Sequence, residues 1–500
     1  MNSRMSLNRL SATLIRFRLV ALALGLTLLG APAVLTAQEG VSLFPEAFSV
    51  EEFADRRSAL AQAIGPAAVA LIQGASGDHS STRFRQSNQF YYLTGVQTPN
   101  AYLLIQGGSG RSTLYLPPQN ESRERTDGRV LSAGNPEAVA RITGIDEVQP
   151  VDRLSEDLGR RAPAGMRVYT PFFPEEGHAE SRAGILRAEA DRFSDPWDGR
   201  PSRAGHLISL IRERFPFLEV HNLSPHLDEL RLIKSPAELA KIERATRLSG
   251  EVLMEAMRSS QPGVRERELY ALSRFIFIRH GAQGEAYRAI VASGPNAWFA
   301  HHRAADREMQ DGELVLMDHC PDLGYYRCDV TRMWPVNGRF NDWQRELYGF
   351  YLAFYEAILN AIEPGISSQQ VKLNALQQID QIVEEWSFSQ EIYERAARDF
   401  VEAYRRGAEN PDTRMGHWVG MSTHDPGQPD DGILEPGMVF VIEPQFRIPE
   451  EEIYIRLEDM IVIRENGAEV ISDWIPRDMD AIETLMAEEG ILQQIPRIPQ

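Results

Sequence analysis

Cysteine is nearly absent from this chain of 500 residues, which holds only Cys320 and Cys328. Two cysteines cannot build a disulfide framework, so the fold must rest on a packed core, and both thiols are expected to be free. Positive charge is also scarce. Lys and Arg number 52 against 71 Asp and Glu, for a net charge of −19 at pH 7, and such an acidic surface argues against nucleic acid as a partner. After residue 37 no segment is apolar enough to span a bilayer. What is present is 43% hydrophobic residues, enough for a sizeable core shared by two domains or more.

Residues 1–37 stand apart as a signal peptide. They carry Arg4, Arg9, Arg16 and Arg18, no acid, and then the apolar run LVALALGLTLLGAPAVL. Ala31, Ala33 and Ala37 follow the small-residue rule for cleavage after Ala33 or Ala37. Export to the periplasm or the medium is the expectation, with no stable membrane association after cleavage. An uncleaved membrane anchor is the alternative.

Residues 45–228 alternate short apolar runs with helical patterns, which predicts an α/β domain. AAVALIQG, AYLLIQGG, STLYLPP and RVYTPFF read as strands. SVEEFADRRSALAQAI and RAGHLISLIRERF read as amphipathic helices. SRAGILRAEADRFSDPWDGRPS has little periodicity and reads as a loop. A second domain, residues 229–480, opens on a helix capped by Ser235, with Pro236 in its first turn and Glu238 completing a capping box. Within it a helix, Pro-Gly turn, helix plan occurs twice, in MEAMRSSQPGVRERELYALSRF and LNAIEPGISSQQVKLNALQQI. Strand patterns follow each copy, so a duplicated α+β unit around a central site is expected. The aromatic run LYGFYLAFYEAIL reads as helix packing.

The chemistry-bearing residues lie in the last third. Asp318 and Asp329 occur in LMDHCPDLGYYRCDVTR, His417 in GHWVGMSTHD, Glu443 in MVFVIEPQF and Glu458 in IYIRLEDMIVI. Four carboxylates and one imidazole form a hard donor set suited to Mn(II), Co(II) or Zn(II) rather than to a soft thiolate metal. Two divalent ions at about 3.5–4 Å need bridging carboxylates, and this set supplies them. Every ligand stretch except the histidine's reads as a strand. If Asp318 and Asp329 face the metals from one hairpin, alternation puts Cys320 on the metal face and Cys328 on the other.

With these motifs in hand, the chain resembles the pita-bread dinuclear metallopeptidases, the aminopeptidase P and prolidase family, over residues 45–480. RQSNQFYYLTGVQTPNAYLLI is similar to the family's N-terminal domain signature. GPNAWFAHHR, DGELVLMD, CDVTRMWPVNGRF, GHWVGMSTHD, EPGMVFVIEP and IRLED occur in the family's order. The resemblance implies an α+β pita-bread catalytic domain preceded by an α/β domain. It also implies two metal ions, manganese first, held by Asp318, Asp329, His417, Glu443 and Glu458. Asp329 and Glu458 would bridge, Asp318 would serve one ion, and His417 and Glu443 the other. The activity implied is removal of the N-terminal residue from peptides with proline in second position, by a metal-bridging hydroxide and with Glu443 as general base and acid. His301 and His424 would orient substrate, and Arg456 would hold a ligand carboxylate in place. Relatives assemble as dimers or tetramers.

The chain departs from the family pattern at four cleft positions. Thr413 and Ala305 replace a usual His and Asn, and Gln445 and Arg447 replace the Gly and Tyr of Glu-Pro-Gly-x-Tyr. None is a ligand, so metal binding is expected to survive. Arg447 is expected to favour peptides with an acidic group beside it. Trp298, Phe299 and Trp418 either line a proline pocket or pack in the core, and His302 and His319 read as structural. A prolidase-like dipeptidase and a non-catalytic binding protein are the alternative functions.

Overall fold

The computed structural model describes residues 43–495, apart from 46, 78–82, 175, 177–180 and 428–431. The expected signal peptide therefore lies outside the described residues. Among the described residues no helix is long and apolar enough to cross a membrane.

The N-terminal part is a six-stranded mixed sheet. Its strands run, edge to edge, Glu147–Pro150, Ser112–Leu116, Tyr102–Gln106, Ala68–Gln73, Arg167–Thr170 and Glu219–Asn222. The four expected strands are all present, as are the helices Val50–Ile64 and Arg203–Arg214. The segment read as a loop is instead the helix Arg182–Ser194. It buries no residue, so it has no apolar stripe to betray it. Local bonds hold it: Ser181 Oγ accepts from the Gly184 N–H at 3.0 Å, and Arg182 pairs with Asp228 and Glu176.

Residue 228, the expected end of the first domain, lies inside the helix Ser224–Leu232, and residues 233–235 link that helix to the next. The helix Pro236–Ser259 then starts with the expected capping box on Ser235 and Glu238. The expected end at 480 also falls inside a helix, Met479–Met486, which packs against Pro236–Ser259.

The catalytic part follows the same plan twice. Helices Pro236–Ser259 and Glu266–Arg279 precede an antiparallel sheet of Ile290–Ser293, Leu314–His319 and Val330–Pro335. Helices Asp342–Asn360 and Ser368–Glu385, with an added helix Glu391–Glu409, precede a sheet of His417–Trp418, Val439–Ile442, Asp459–Arg464 and Gly467–Val470. An antiparallel bridge between Thr331 and Glu458 joins the two sheets at the centre.

One continuous apolar core runs from Phe48 to Leu485 through both parts. Polar contacts reinforce it where the N-terminal part meets the catalytic loops. Tyr91 stacks on Tyr325 at 3.6 Å, and Arg85 pairs with Asp322 at 2.6 Å. Arg231, fully buried, pairs with Glu176 at 2.9 Å and with Asp425 at 2.5 Å. Removing Arg231 would leave buried Glu176 with Arg182 alone and buried Asp425 with the more distant Lys234 alone. Arg231→Met should therefore destabilise the protein by roughly 3–5 kcal/mol, read in chemical denaturation. A change under 1 kcal/mol would show that this network does not tie the two parts together.

Candidate metal centre

The carboxylates arrive at strand ends rather than from strand middles. Asp318 lies within Leu314–His319; Asp329 immediately precedes Val330–Pro335; Glu443 immediately follows Val439–Ile442; Glu458 immediately precedes Asp459–Arg464. His417, expected off any strand, stands on the two-residue strand His417–Trp418 paired with Val441. Gly416 makes that pairing feasible, because a Cβ there would sit 1.7 Å from the Val441 carbonyl oxygen.

These five side chains converge. His417 Nε2 lies 3.6 Å from Asp329 Oδ2, 3.8 Å from Glu443 Oε1 and 3.7 Å from Glu458 Oε1. Two ligand triads result, Asp318–Asp329–Glu458 and His417–Glu443–Glu458, and they share Glu458. Asp318, Asp329 and Glu458 form a buried floor, while Glu443 and His417 reach the mouth.

Behind the floor, Tyr287 places its hydroxyl against Asp318 and 2.6 Å from Asp329 Oδ1. Thr331 Oγ1 donates to Glu458 Oε2 at 2.8 Å. Arg456 pairs with Asp318 and, at 3.1 Å, with Glu443, so it holds two of the carboxylates. The aromatic helix Asp342–Asn360 does more than pack. Tyr351 Oη donates to the Pro444 carbonyl at 2.7 Å and accepts from the Leu457 N–H at 2.9 Å, pinning the residues beside Glu443 and Glu458.

The electrostatics fit cations at this place. Burial, then the charges of Glu458 and Asp318, push Asp329 well above the ordinary carboxylate range. Burial and Glu458 raise Glu443 to about 7. Burial acts to raise Asp318 as well, but Arg456 and the Tyr287 hydroxyl outweigh it and hold Asp318 low. His417 Nε2 and Glu458 Oε1 are buried and lack a hydrogen-bond partner among the described residues. Ligand atoms at such spacings, too long for hydrogen bonds, suit ions held at about 2.0–2.2 Å from each donor.

The remaining candidates sit around the mouth. His424 stacks on His417 at 3.7 Å, with planes 8° apart. Lost hydration and the His417 ring hold it low, at about 3, although the residue as a whole is exposed. His301 is exposed, on the loop after the 3-10 turn Gly294–Trp298, within electrostatic reach of His424. Buried Glu266 fixes that loop's base by accepting from the Ser293 N–H at 2.7 Å and from Asn296 Nδ2 at 3.1 Å. His319 is structural as read, with Nε2 3.1 Å from the Ser249 carbonyl. His302 falls instead beside Glu266 and Asp306, away from the ligands. Thr413 is exposed and lines, with Arg414, His417 and Trp418, a cavity of about 330 Å³.

One expectation gains a structural setting and one needs correction. Arg447, expected to favour acidic peptides, is engaged within the fold. It donates to the Trp298 carbonyl at 3.1 Å, and its guanidinium lies 5.0 Å from the Trp298 ring and 4.2 Å from the Tyr454 ring. The cysteines are free but do not alternate across a hairpin. The ladder ends at His319 and Val330, and beyond it the Cys328 N–H donates to Cys320 Sγ at 2.9 Å.

Sequence reasoning missed Tyr287, Thr331 and Tyr454. Thr331 stands two residues after Asp329 and Tyr454 two before Arg456, so strand alternation was a usable signal for both. Tyr287 offered none.

Residues 240–465 match metallopeptidase family M24, and residues 53–169 match the aminopeptidase P N-terminal domain. A Xaa-Pro aminopeptidase of Escherichia coli is 30% identical over 458 residues, covering 88% of this chain and 98% of the relative. Xaa-Pro aminopeptidase 3 of Rattus norvegicus is 31% identical over 422 residues, covering 80% of this chain and 76% of the relative. Among solved structures, zinc-substituted E. coli aminopeptidase P in complex with product superposes with a TM-score of 0.69 at 28% identity, covering 88% of this chain and 98% of that one. Proline aminopeptidase P II from Yersinia pestis gives 0.71 at 28% identity, covering 88% and 100%.

The crowding of carboxylates predicts a stability change in the metal-free protein. Asp329 binds its proton more tightly folded than unfolded, so its contribution favours the fold at low pH and is lost as pH rises. Asparagine carries no charge to lose. Metal-free Asp329→Asn should melt a few degrees above metal-free wild type at pH 7, and gain less from added Mn(II). A lower melting temperature for the metal-free variant would contradict this account of the floor.

Proposed function

Because this chain belongs to metallopeptidase family M24 and is a hydrolase of the metallo-aminopeptidase kind, we propose that it removes the N-terminal residue from peptides with proline in second position. The observation that carries this reading is the pair of ligand triads sharing Glu458. Asp318, Asp329, His417, Glu443 and Glu458 would hold two divalent ions, manganese first and cobalt or zinc next. The ions supply a water acidified enough to act as nucleophile at neutral pH.

The chain's own groups do the rest. Glu443, at the mouth, takes the proton of the attacking water and passes it to the leaving nitrogen. Ahead of proline that nitrogen belongs to a tertiary amide, so it must gain a proton to depart as an amine. Arg456 keeps Glu443 and Asp318 in place by its two ion pairs. His424, neutral because its pKa is held near 3, orients the peptide carbonyl as a hydrogen-bonding group, and His301 approaches the peptide from the facing loop.

Export through residues 1–37, to periplasm or medium, and assembly as a dimer or tetramer belong to the same proposal. N-terminal sequencing of the mature protein should begin after Ala33 or Ala37; an intact leader would instead mark a membrane-anchored form.

With metal-loaded protein and Arg-Pro-Pro, the expected products are free arginine and Pro-Pro. Glu443→Gln should lower kcat by about 10²–10⁴ while KM changes little, because shape is kept and the base is lost. Cleavage of Gly-Pro alone would select the dipeptidase alternative. A loss confined to KM would remove Glu443 from the acid–base role.

A further inference from the structure

The hairpin of Phe446–Ile448 and Ile453–Ile455 forms one wall beside the centre, and Arg447 and Tyr454 face each other across it. Tyr454 is only 3% exposed, yet its hydroxyl has no hydrogen-bond partner among the described residues. Burying an unpaired hydroxyl is destabilising, so phenylalanine would fill the same space more stably. An orphan of this kind calls for a partner from outside the fold.

Its position says where that partner would lie. Tyr454 lies on the strand Ile453–Ile455, Arg456 follows that strand directly, and continuing the alternation by one residue sets the two on the same face. Arg456 bonds Glu443 and Asp318, so this face is the wall of the metal centre. The charges acting on the phenol are Arg456, Arg447, Glu443 and Asp318, and burial raises it to about 12. The hydroxyl therefore keeps its proton at any working pH and acts as a donor. The ring cannot swing freely, because Arg447 covers it at 4.2 Å and is itself anchored to the Trp298 carbonyl and ring.

We propose that the Tyr454 hydroxyl is a substrate-binding group, donating a hydrogen bond to a carbonyl oxygen of the bound peptide, and that Arg447 is the positioning residue that aims it. The proposal rests on the peptidase reading above and deepens it. It makes Arg447 an organiser of the cleft wall instead of a receptor for acidic side chains. It also explains the orphan hydroxyl as stability given up for binding.

The test uses metal-loaded full-length protein, with wild type, Tyr454→Phe, Arg447→Met and the double variant. Substrates are Arg-Pro-Pro and its C-terminal amide; the equilibrium probe is the dipeptide Pro-Leu, titrated calorimetrically. Tyr454→Phe should lose about 3- to 10-fold in kcat/KM on both substrates, and about as much in Pro-Leu affinity. Its melting temperature should stay level or rise, so that the loss of activity cannot come from a weakened fold. Arg447→Met should lose activity in the same direction, and the double variant should lose little beyond Tyr454→Phe alone. Unchanged kcat/KM and affinity in Tyr454→Phe overturn the proposal, as does a loss accompanied by a lower melting temperature. Retention of full activity on the amide alone would move the acceptor from a peptide carbonyl to the terminal carboxylate and overturn the carbonyl assignment. If wild type binds Pro-Leu but cleaves neither peptide, the peptidase reading fails and the titration still decides Tyr454. A wild type that neither cleaves nor binds overturns both.

Discussion

Asp318, Asp329 and Glu458 are buried side by side, with Glu443 at their edge; Arg456 pairs with two of these carboxylates, and His417 Nε2 stands 3.6–3.8 Å from the other two and from Glu443. Like charges taken out of water repel strongly, and a folded chain tolerates them only where protons or cations offset the repulsion. The elevated proton affinity of Asp329 and Glu443 comes first from burial and then from that repulsion, chiefly by Glu458. Much of the surrounding architecture can be understood as holding this unfavourable cluster in register. Thr331 and Tyr287 bond the floor from behind, and Tyr351 fixes the backbone beside two of the ligands. The bridge from Thr331 to Glu458 locks the two pita-bread halves together at the point of greatest charge.

The N-terminal part acts on the same centre from a distance. It grips the loop between Asp318 and Asp329 through Tyr91, Arg85 and Gln86, whose N–H donates to Tyr325 Oη at 2.8 Å. Tyr325 sits at φ 76°, a left-handed conformation costly for a residue with a Cβ, and these contacts sustain it. The same part grips the loop carrying His424 through Asn88, which donates to the Met421 carbonyl at 3.2 Å, and through the Arg231–Asp425 pair. Both loops link chemistry-bearing residues. The α/β domain, which holds no candidate catalytic residue, is thus a mechanical support for the site.

The candidate ligands were legible in the sequence because metal chemistry demands particular residue types, and strand patterns around Asp318, Glu443 and Glu458 are long enough to read. His417's strand was not, since two residues carry no periodicity. The helix Arg182–Ser194 escaped for a related reason: with no buried face, its residues follow no apolar rhythm. Tyr287 reads as one more core aromatic until the fold brings it onto two aspartates. Arg447 shows a different limit. Its charge alone suggested a receptor for acids, and its stacking on the cross-strand Tyr454 ring emerges only from the hairpin register.

The central claim is that the carboxylate cluster is shaped for two cations sharing Glu458. Calorimetric titration of chelator-stripped, full-length protein with Mn(II), checked by elemental analysis, measures it directly. Two ions per chain at saturation are predicted, with Glu458→Gln weakening both. Saturation at a single ion in the wild type would contradict the account.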